Sequence, residues 1–154
     1  MGELIIENPV NNGNFYRRYA FESLHFRPNF YRFLDLKEIT PKTHPKVVDL
    51  CAGDGSISKL LTDKGWNPRD LTCVDLYKSP TPLVNGVTWR YWDLEELADH
   101  LKILRDIPAQ ILDLQNTFDF VVLWNGFLRR ETETSVCKFF VRLDGETFMD
   151  AICS

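Results

Sequence analysis

The sequence predicts one α/β domain with a mostly parallel sheet and helices on both faces of that sheet. Two observations carry this prediction. From Lys46 onward, short apolar runs rich in β-branched and aromatic residues alternate with segments of helical spacing, and this alternation implies βαβ units with a parallel sheet. The length of 154 residues is also that of a single domain with its own hydrophobic core.

The chain divides into residues 1–45, which are rich in arginine and aromatic side chains, and residues 46–154, which form the α/β core. Prolines in the first region predict short helices that break at Pro28 and before Pro41. Five runs of the core have the composition of strands: Val47–Leu50, Leu71–Asp75, Val87–Tyr91, Phe118–Trp124 and Lys138–Leu143. Three segments predict helices: Ser56–Lys64, Leu94–Arg105 and Pro108–Leu114.

Composition excludes several classes of protein. With 44% hydrophobic and 26% charged residues, the chain is typical of a globular domain. No apolar run approaches the ~20 residues of a bilayer span, and the first residues lack the basic and apolar regions of a signal peptide. Four scattered cysteines and three histidines offer no zinc-ligand spacing, so no metal site is expected. We therefore expect a reduced, intracellular and cytoplasmic protein.

The net charge of −4 is unevenly distributed along the chain. Between Gly13 and Lys46, seven basic and three acidic residues give +4, so the remainder carries −8. Eight of the twenty aromatic residues lie in the same segment. Arginines among exposed aromatic side chains would hold phosphates and stack on bases, which predicts RNA binding through Arg17, Arg18 and Arg27. The alternative is an amphipathic helical layer whose aromatic side chains pack into the core.

The most informative segment is the turn that follows the first predicted strand. That strand contains Asp49, and the chain then passes through Gly53 and Gly55 into a helix. Glycine accepts positive φ angles and allows close approach of the backbone to a ligand. In doubly wound sheets this first loop is where nucleotide-like ligands bind.

The details of the turn narrow the choice of ligand. No Gly-Lys-Ser/Thr follows, and Ser58 stands where the dinucleotide fingerprint requires a third glycine. Asp54 would repel a pyrophosphate and suits a ligand that presents an ammonium group. S-adenosylmethionine (SAM) is such a ligand.

Two later carboxylates support a nucleoside site. Asp75 ends the second predicted strand about twenty residues after the glycines, where a carboxylate can hold ribose hydroxyls. Asp93 follows the third strand, where it would bind the amino group of a base. The alternative is that both are ordinary turn or helix-cap residues.

In this order of motifs the sequence resembles the Rossmann-like SAM-dependent methyltransferases, and in detail the FtsJ-like RNA ribose 2′-O-methyltransferase superfamily. The family's Val-Asp-Leu-Cys-Ala-Ala-Pro-Gly-Gly-Trp-Ser is similar to residues 48–58, and its later motifs are similar to residues 74–76, 82–87 and 92–93. The resemblance implies that the loop holds the methionine part of SAM, Asp75 the ribose, and Leu76 with Trp92 and Asp93 the adenine. The implied cofactor residues are Asp49, Cys51, Ala52, Gly53, Asp54, Gly55, Asp75, Leu76, Trp92 and Asp93.

The same resemblance implies a degenerate catalytic set. Arg32, Asn125 and Arg142 stand where the family has lysine, aspartate and lysine, and the family's glutamate has no counterpart. Arginine has a pKa above ~12 and cannot accept the proton of a ribose hydroxyl. We therefore expect SAM binding near RNA with weak or lost ribose methylation. An alternative placement gives the base role to Lys37 or Lys138.

Two other functions stay open. One is a non-catalytic scaffold of the same fold that binds RNA or protein, and the other is an amino-group methyltransferase that holds its target amine through Asn125. After Arg142 only twelve residues remain, too few for the last two strands of the family's sheet. The resemblance therefore implies a domain shortened at its C-terminal end, a fragment of a larger protein, or a subunit that a partner completes. An unfinished sheet leaves an edge strand that needs covering, so we expect a homodimer or a larger protein partner.

Overall fold

The centre of the fold is a five-stranded sheet. The structure is a computed structural model that describes residues 26–76, 82–104, 107, 109–124 and 130–150. Its strands are β1 (Val47–Leu50), β2 (Leu71–Asp75), β3 (Thr88–Tyr91), β4 (Phe118–Trp124) and β5 (Val141–Asp150). Its helices are α1 (Phe26–Leu36), α2 (Ser56–Asp63), α3 (Leu94–Asp99) and α4 (Arg130–Phe140).

The strand order is β3-β2-β1-β4-β5, and every neighbouring pair is parallel. The chain moves outward from β1 to β3 and then returns to the other side of β1 as β4. All strands therefore end at the same edge of the sheet, which we call the carboxyl edge, marked by Leu50, Asp75 and Trp124. The order reverses between β1 and β4, and ligands of doubly wound sheets bind at this switch point.

Helices cover both faces of the sheet, as the sequence predicts. On one face, α1 and α2 pack against the strands around Phe30, Leu60 and Phe120, which are fully buried. On the other face, α3 and α4 enclose a second cluster that includes Trp92 and Phe140. Strands buried on both sides explain the nearly continuous apolar runs in β1 and β4.

The prediction of the fifth strand is wrong in its boundaries. Lys138 and the two phenylalanines after it end α4, and β5 begins only at Val141. Phe139 and Phe140 are both buried against the sheet, so they serve as the apolar stripe of a helix. A short apolar run does not distinguish a buried strand from a buried helix turn, and a parallel crossover from β4 to β5 requires the helix.

Smaller differences concern the helices. Pro28 lies within α1, which continues through it to Leu36, so the predicted break at Pro28 is wrong. The helix predicted over Leu94–Arg105 is α-helical only to Asp99 and continues as a π-helix over His100–Leu104. The helix predicted from Pro108 is a 3-10 helix over Ala109–Leu114. No helix of the described residues is long and apolar enough to cross a membrane.

Candidate functional site

The loop of residues 51–55, which we call the glycine loop, leaves β1 at the carboxyl edge and leads into α2. Cys51, Gly53 and Gly55 have φ angles of 60°, 62° and 91°, all in the left-handed region. Ala52 is fully buried and its N–H donates to the carbonyl of Val74 at 3.0 Å, so the loop follows the end of β2. Cys51 is half-buried, and a left-handed non-glycine residue at this position stores backbone strain.

Asp75 connects the glycine loop to β2. Its carboxylate accepts the backbone N–H of Gly53 at 2.7 Å through Oδ2 and that of Leu76 at 2.6 Å through Oδ1. The residue is only 7% exposed. A carboxylate oxygen can accept more than one hydrogen bond, so this geometry positions an acceptor for ligand hydroxyls beside the backbone of the loop.

Two further carboxylates lie in or beside the loop. Asp54 is buried and accepts a hydrogen bond from the Ser56 hydroxyl at 2.5 Å, while its carbonyl accepts the Leu83 N–H at 2.9 Å. Asp49 is 2% exposed in β1. Negative groups at this density favour a ligand that carries positive charge over a phosphate.

Helix α2 begins directly at the loop. Gly55 is its N-cap residue, and no side chain caps its first turn. The N–H groups at a helix start attract anionic groups such as a carboxylate. The loop therefore combines carboxylates with backbone donors, which matches a ligand with both an ammonium and a carboxylate group.

Two of the three residues that the resemblance assigns to adenine, Trp92 and Asp93, have other contacts. The Trp92 indole is 1% exposed and stacks on Phe140 with ring centroids 5.8 Å apart, so this ring belongs to the core. The Asp93 carboxylate caps α3 by accepting the N–H groups of Glu95 at 3.1 Å and Glu96 at 3.4 Å. Leu76 is half-buried beside Asp75. For Asp93, the structure shows the helix-cap role that the sequence leaves as an alternative.

Of the three predicted catalytic residues, the structure describes Arg32 and Arg142. Arg32 is exposed on α1, and Asn125 lies outside the described residues. Arg142 pairs with Asp119 at 2.5 Å, near the start of β4. A strand rises ~3.3 Å per residue, so Asp119 lies about 16 Å from the carboxyl edge. The proposed counterpart of the family's second lysine is thus at the opposite end of the sheet from the glycine loop.

The position of Arg142 results from an irregularity in β5. Phe118 pairs with Val141, whereas Phe120 already pairs with Glu146, so β5 bulges between these positions. The bulge keeps Arg142 at the amino end of the sheet. Sequence spacing gave no sign of the bulge.

The basic and aromatic segment is described only from Phe26. Arg27 is exposed, whereas Arg17 and Arg18 lie outside the described residues. Phe26 and Phe30 are buried and stack with centroids 5.5 Å apart. Phe26 also contacts Trp124, with centroids 4.2 Å apart. For these two phenylalanines, the structure shows the core packing that the sequence offers as the alternative to base stacking. The contact of Phe26 with Trp124 places this end of α1 at the carboxyl edge.

Comparison with known proteins supports the fold. No protein-family model matches the chain, and no curated protein matches its sequence. A solved structure, the PH0226 protein from Pyrococcus horikoshii OT3, is similar with a TM-score of 0.52 and 19% identity over 88% of this chain and 64% of that one. A SAM-dependent methyltransferase from Archaeoglobus fulgidus is similar with a TM-score of 0.49 and 16% identity, over 85% of this chain and 54% of that one.

The likeness to PH0226 shows a Rossmann-like α/β fold. The chain spans less than two thirds of the length of either similar structure. Among the described residues, no group of three or more His, Cys, Asp or Glu side chains could hold a metal ion.

Sequence reasoning missed two residues next to the loop, Trp89 and Tyr91 of β3. Their rings stack with centroids 6.2 Å apart and planes 13° apart. Burial raises the pKa of Tyr91, and the nearby Cys73 and Asp75 raise it further when charged. The available signal was the alternation of aromatic residues along a strand that pairs with the strand of Asp75.

Proposed function

We propose that this chain binds SAM at the carboxyl edge of its sheet and is a methyltransferase-type domain. The observation that carries the proposal is the contact between Asp75 and the glycine loop. A carboxylate at the end of the second strand, held by the backbone of the loop after the first strand, is suited to the hydroxyls of a ribose. The parallel order with its switch point beside β1 supports the same location.

The described residues fit the parts of SAM by charge and shape. Asp75 can accept hydrogen bonds from the ribose hydroxyls. The uncapped start of α2 suits the carboxylate of the methionine part. The buried Asp49 and Asp54 suit its ammonium and the positive sulfonium. The positive φ angles of Gly53 and Gly55 form the tight turn that leads from β1 into α2 at this edge.

When bound, SAM supplies an electrophilic methyl group that an acceptor nucleophile can attack. The role of this chain is to bind and orient the cofactor and to bring the acceptor to the carboxyl edge. A nucleophile held in line with the methyl–sulfur bond gains its rate mostly from positioning.

For the acceptor we propose RNA, bound through the basic segment that includes Arg17, Arg18 and Arg27. The local charge of +4 between Gly13 and Lys46 supports a polyanionic partner. The contact of Phe26 with Trp124 supports an approach at the carboxyl edge, because it places the start of α1 there.

We further propose that ribose methylation is weak or lost. Arg32 is exposed on α1, and Arg142 is engaged with Asp119 at the far end of the sheet. Neither guanidinium can act as a general base. This arrangement supports the second candidate, a SAM-binding scaffold that binds RNA or protein without turnover. The amino-group chemistry assigned to Asn125 remains a proposal that the described residues do not address.

Calorimetric titration with SAM tests the main proposal. We expect binding to the full chain and a loss of binding in Asp75→Ala, since the ribose loses its acceptor. Glu38→Gln, an exposed residue remote from the loop, is the matched control. The absence of any binding near millimolar SAM would refute the proposal.

A methyl-transfer assay on RNA with labelled SAM separates the two candidates. Binding without turnover supports the scaffold, whereas turnover comparable to that of an active ribose methyltransferase would contradict the proposed loss of catalysis. RNA affinity that falls with salt, and falls further when Arg17, Arg18 and Arg27 are replaced, would support the RNA partner.

A further inference from the structure

Strand β3 carries Trp89 and Tyr91, which we call the aromatic pair. Alternate residues of a strand point to the same face, and the two rings stack nearly in parallel, with planes 13° apart. Both residues are half-buried. Within the described part of the chain, β3 stands at the end of the strand order and pairs with β2.

The aromatic pair lies beside both Asp75 and the glycine loop. In the parallel register, Tyr91 lies opposite Asp75 and Trp89 lies opposite Cys73. Opposite residues of neighbouring strands project to the same face, so the rings lie on the side to which Asp75 projects. A Cβ added to Gly55 would lie 3.6 Å from Cζ2 of Trp89, so this ring packs on the glycine loop.

The chemistry of the aromatic pair suits a nucleoside. A tyrosine hydroxyl is protonated at neutral pH and can donate a hydrogen bond, and burial, with the nearby Cys73 and Asp75, raises the pKa of Tyr91 further. The Trp89 indole offers a large π face. Trp92 cannot take this role, because its ring is enclosed in the core against Phe140.

We propose that Trp89 and Tyr91 are the residues that recognise the purine base of the adenosyl cofactor. The base lies against the aromatic pair, and the Tyr91 hydroxyl donates to an acceptor atom of the nucleoside. This assignment rests on the proposed SAM function. It moves recognition of the base from the loop after β3 to side chains within β3.

The test uses the full chain and three ligands: SAM, 5′-methylthioadenosine, which keeps the nucleoside without the amino acid, and methionine. We expect Trp89→Leu to weaken binding of SAM and 5′-methylthioadenosine about 10-fold or more and to leave any methionine binding unchanged. Tyr91→Phe should weaken both nucleosides to a smaller degree. The matched control is Arg90→Gln. Arg90 is the residue between Trp89 and Tyr91 in the sequence, and its side chain is on the opposite face of the sheet, 3.6 Å from Asp113.

A spectroscopic measurement separates direct contact from a packing effect on the glycine loop. A base stacked on Trp89 quenches its fluorescence, so 5′-methylthioadenosine should quench the wild type, and Trp89→Phe should lose this quenching while it still binds. If circular dichroism shows that Trp89→Leu does not fold, the quenching measured in Trp89→Phe and in the wild type decides whether Trp89 contacts the base.

The outcomes distinguish the two proposals. A wild type that binds neither SAM nor 5′-methylthioadenosine refutes the SAM function and this inference with it. A wild type that binds both, with unchanged affinity in Trp89→Leu or with quenching retained in Trp89→Phe, overturns only the role of the aromatic pair.

Discussion

Arg142 and Asp119 form an ion pair at the amino end of the sheet, with Nε and Oδ1 2.5 Å apart. The other carboxylate oxygen of Asp119 accepts the backbone N–H of Lys46 at 2.9 Å. The Asp119 side chain therefore connects the start of β1, the start of β4 and the bulge of β5. This contact assigns Arg142 a structural role.

The first prediction concerns this ion pair. Because Arg142 is 41% exposed, solvent screens the pair, and we expect Arg142→Gln to lower the free energy of unfolding by no more than about 1 kcal/mol. Its affinity for SAM should equal that of the wild type, measured by calorimetry. Asp119→Asn should cost more, because the acceptor of the Lys46 N–H is weakened as well. A clear loss of SAM affinity in an Arg142→Gln variant of unchanged stability would contradict the structural role.

The second prediction concerns Gly145 in the bulge. A Cβ at this position would lie 2.6 Å from Cγ2 of Val141 and 2.9 Å from the carbonyl oxygen of Asp119. We expect Gly145→Ala to destabilise the protein by about 2–3 kcal/mol in urea unfolding, because backbone has to move. Gly65→Ala is a useful comparison, since its Cβ would meet only Pro41 at 3.6 Å, and its cost should come from the φ of 103° alone. Equal stability of Gly145→Ala and wild type would contradict the close contacts at this position.

The third prediction concerns Cys137. Burial raises the pKa of this thiol to about 12, and the charge of Glu133 adds to the shift. The thiolate is the reactive form, so iodoacetamide at pH 8 should leave Cys137 unmodified in the folded protein, while the half-buried Cys51 reacts faster. Peptide mass spectrometry measures both sites, and the urea-unfolded chain, in which both should react, is the control.

The same shift makes stability depend on pH. The thiol of the unfolded chain loses its proton at its ordinary pKa of 9.0, below the folded value of about 12. Across this interval the folded state binds more protons, so the free energy of unfolding should decline as the pH rises from about 9 toward 12. Cys137→Ala should show a shallower decline in urea titrations at pH 8 and pH 10. An unchanged slope would exclude Cys137 as a cause.

The fourth prediction separates the two roles of Asp93. Asp93 is the N-cap residue of α3. Asp93→Ala should therefore lower the free energy of unfolding by about 1 kcal/mol, whereas Asp93→Ser keeps a capping oxygen and should cost much less. If the carboxylate only caps the helix, Asp93→Ser should bind SAM as the wild type does. A large loss of affinity in this stable variant would instead assign the carboxylate to the adenine, as the resemblance implies.

Much of the fold could be predicted because local patterns carried it. The strand of Val47–Leu50 and the strand of Phe118–Trp124 have the predicted bounds, since runs of buried apolar residues between turn signals have few alternatives. The fifth strand was misplaced because Phe139 and Phe140 suit a helix stripe as well as a strand. Only the need for a parallel crossover resolves that ambiguity.

The candidate site also contains residues that the sequence predicts and residues that it does not. Gly53, Gly55 and Asp75 were recognisable because left-handed turns and strand ends leave a local signature in residue type and spacing. The burial of the Trp92 ring, the place of Arg142 and the alignment of Trp89 and Tyr91 with Asp75 have no such signature. They depend on strand register and on which face a side chain occupies. The sequence by itself determined the parallel α/β architecture and the loop at its centre, and the tertiary structure alone decided which side chains meet there, because those contacts join residues far apart in the chain.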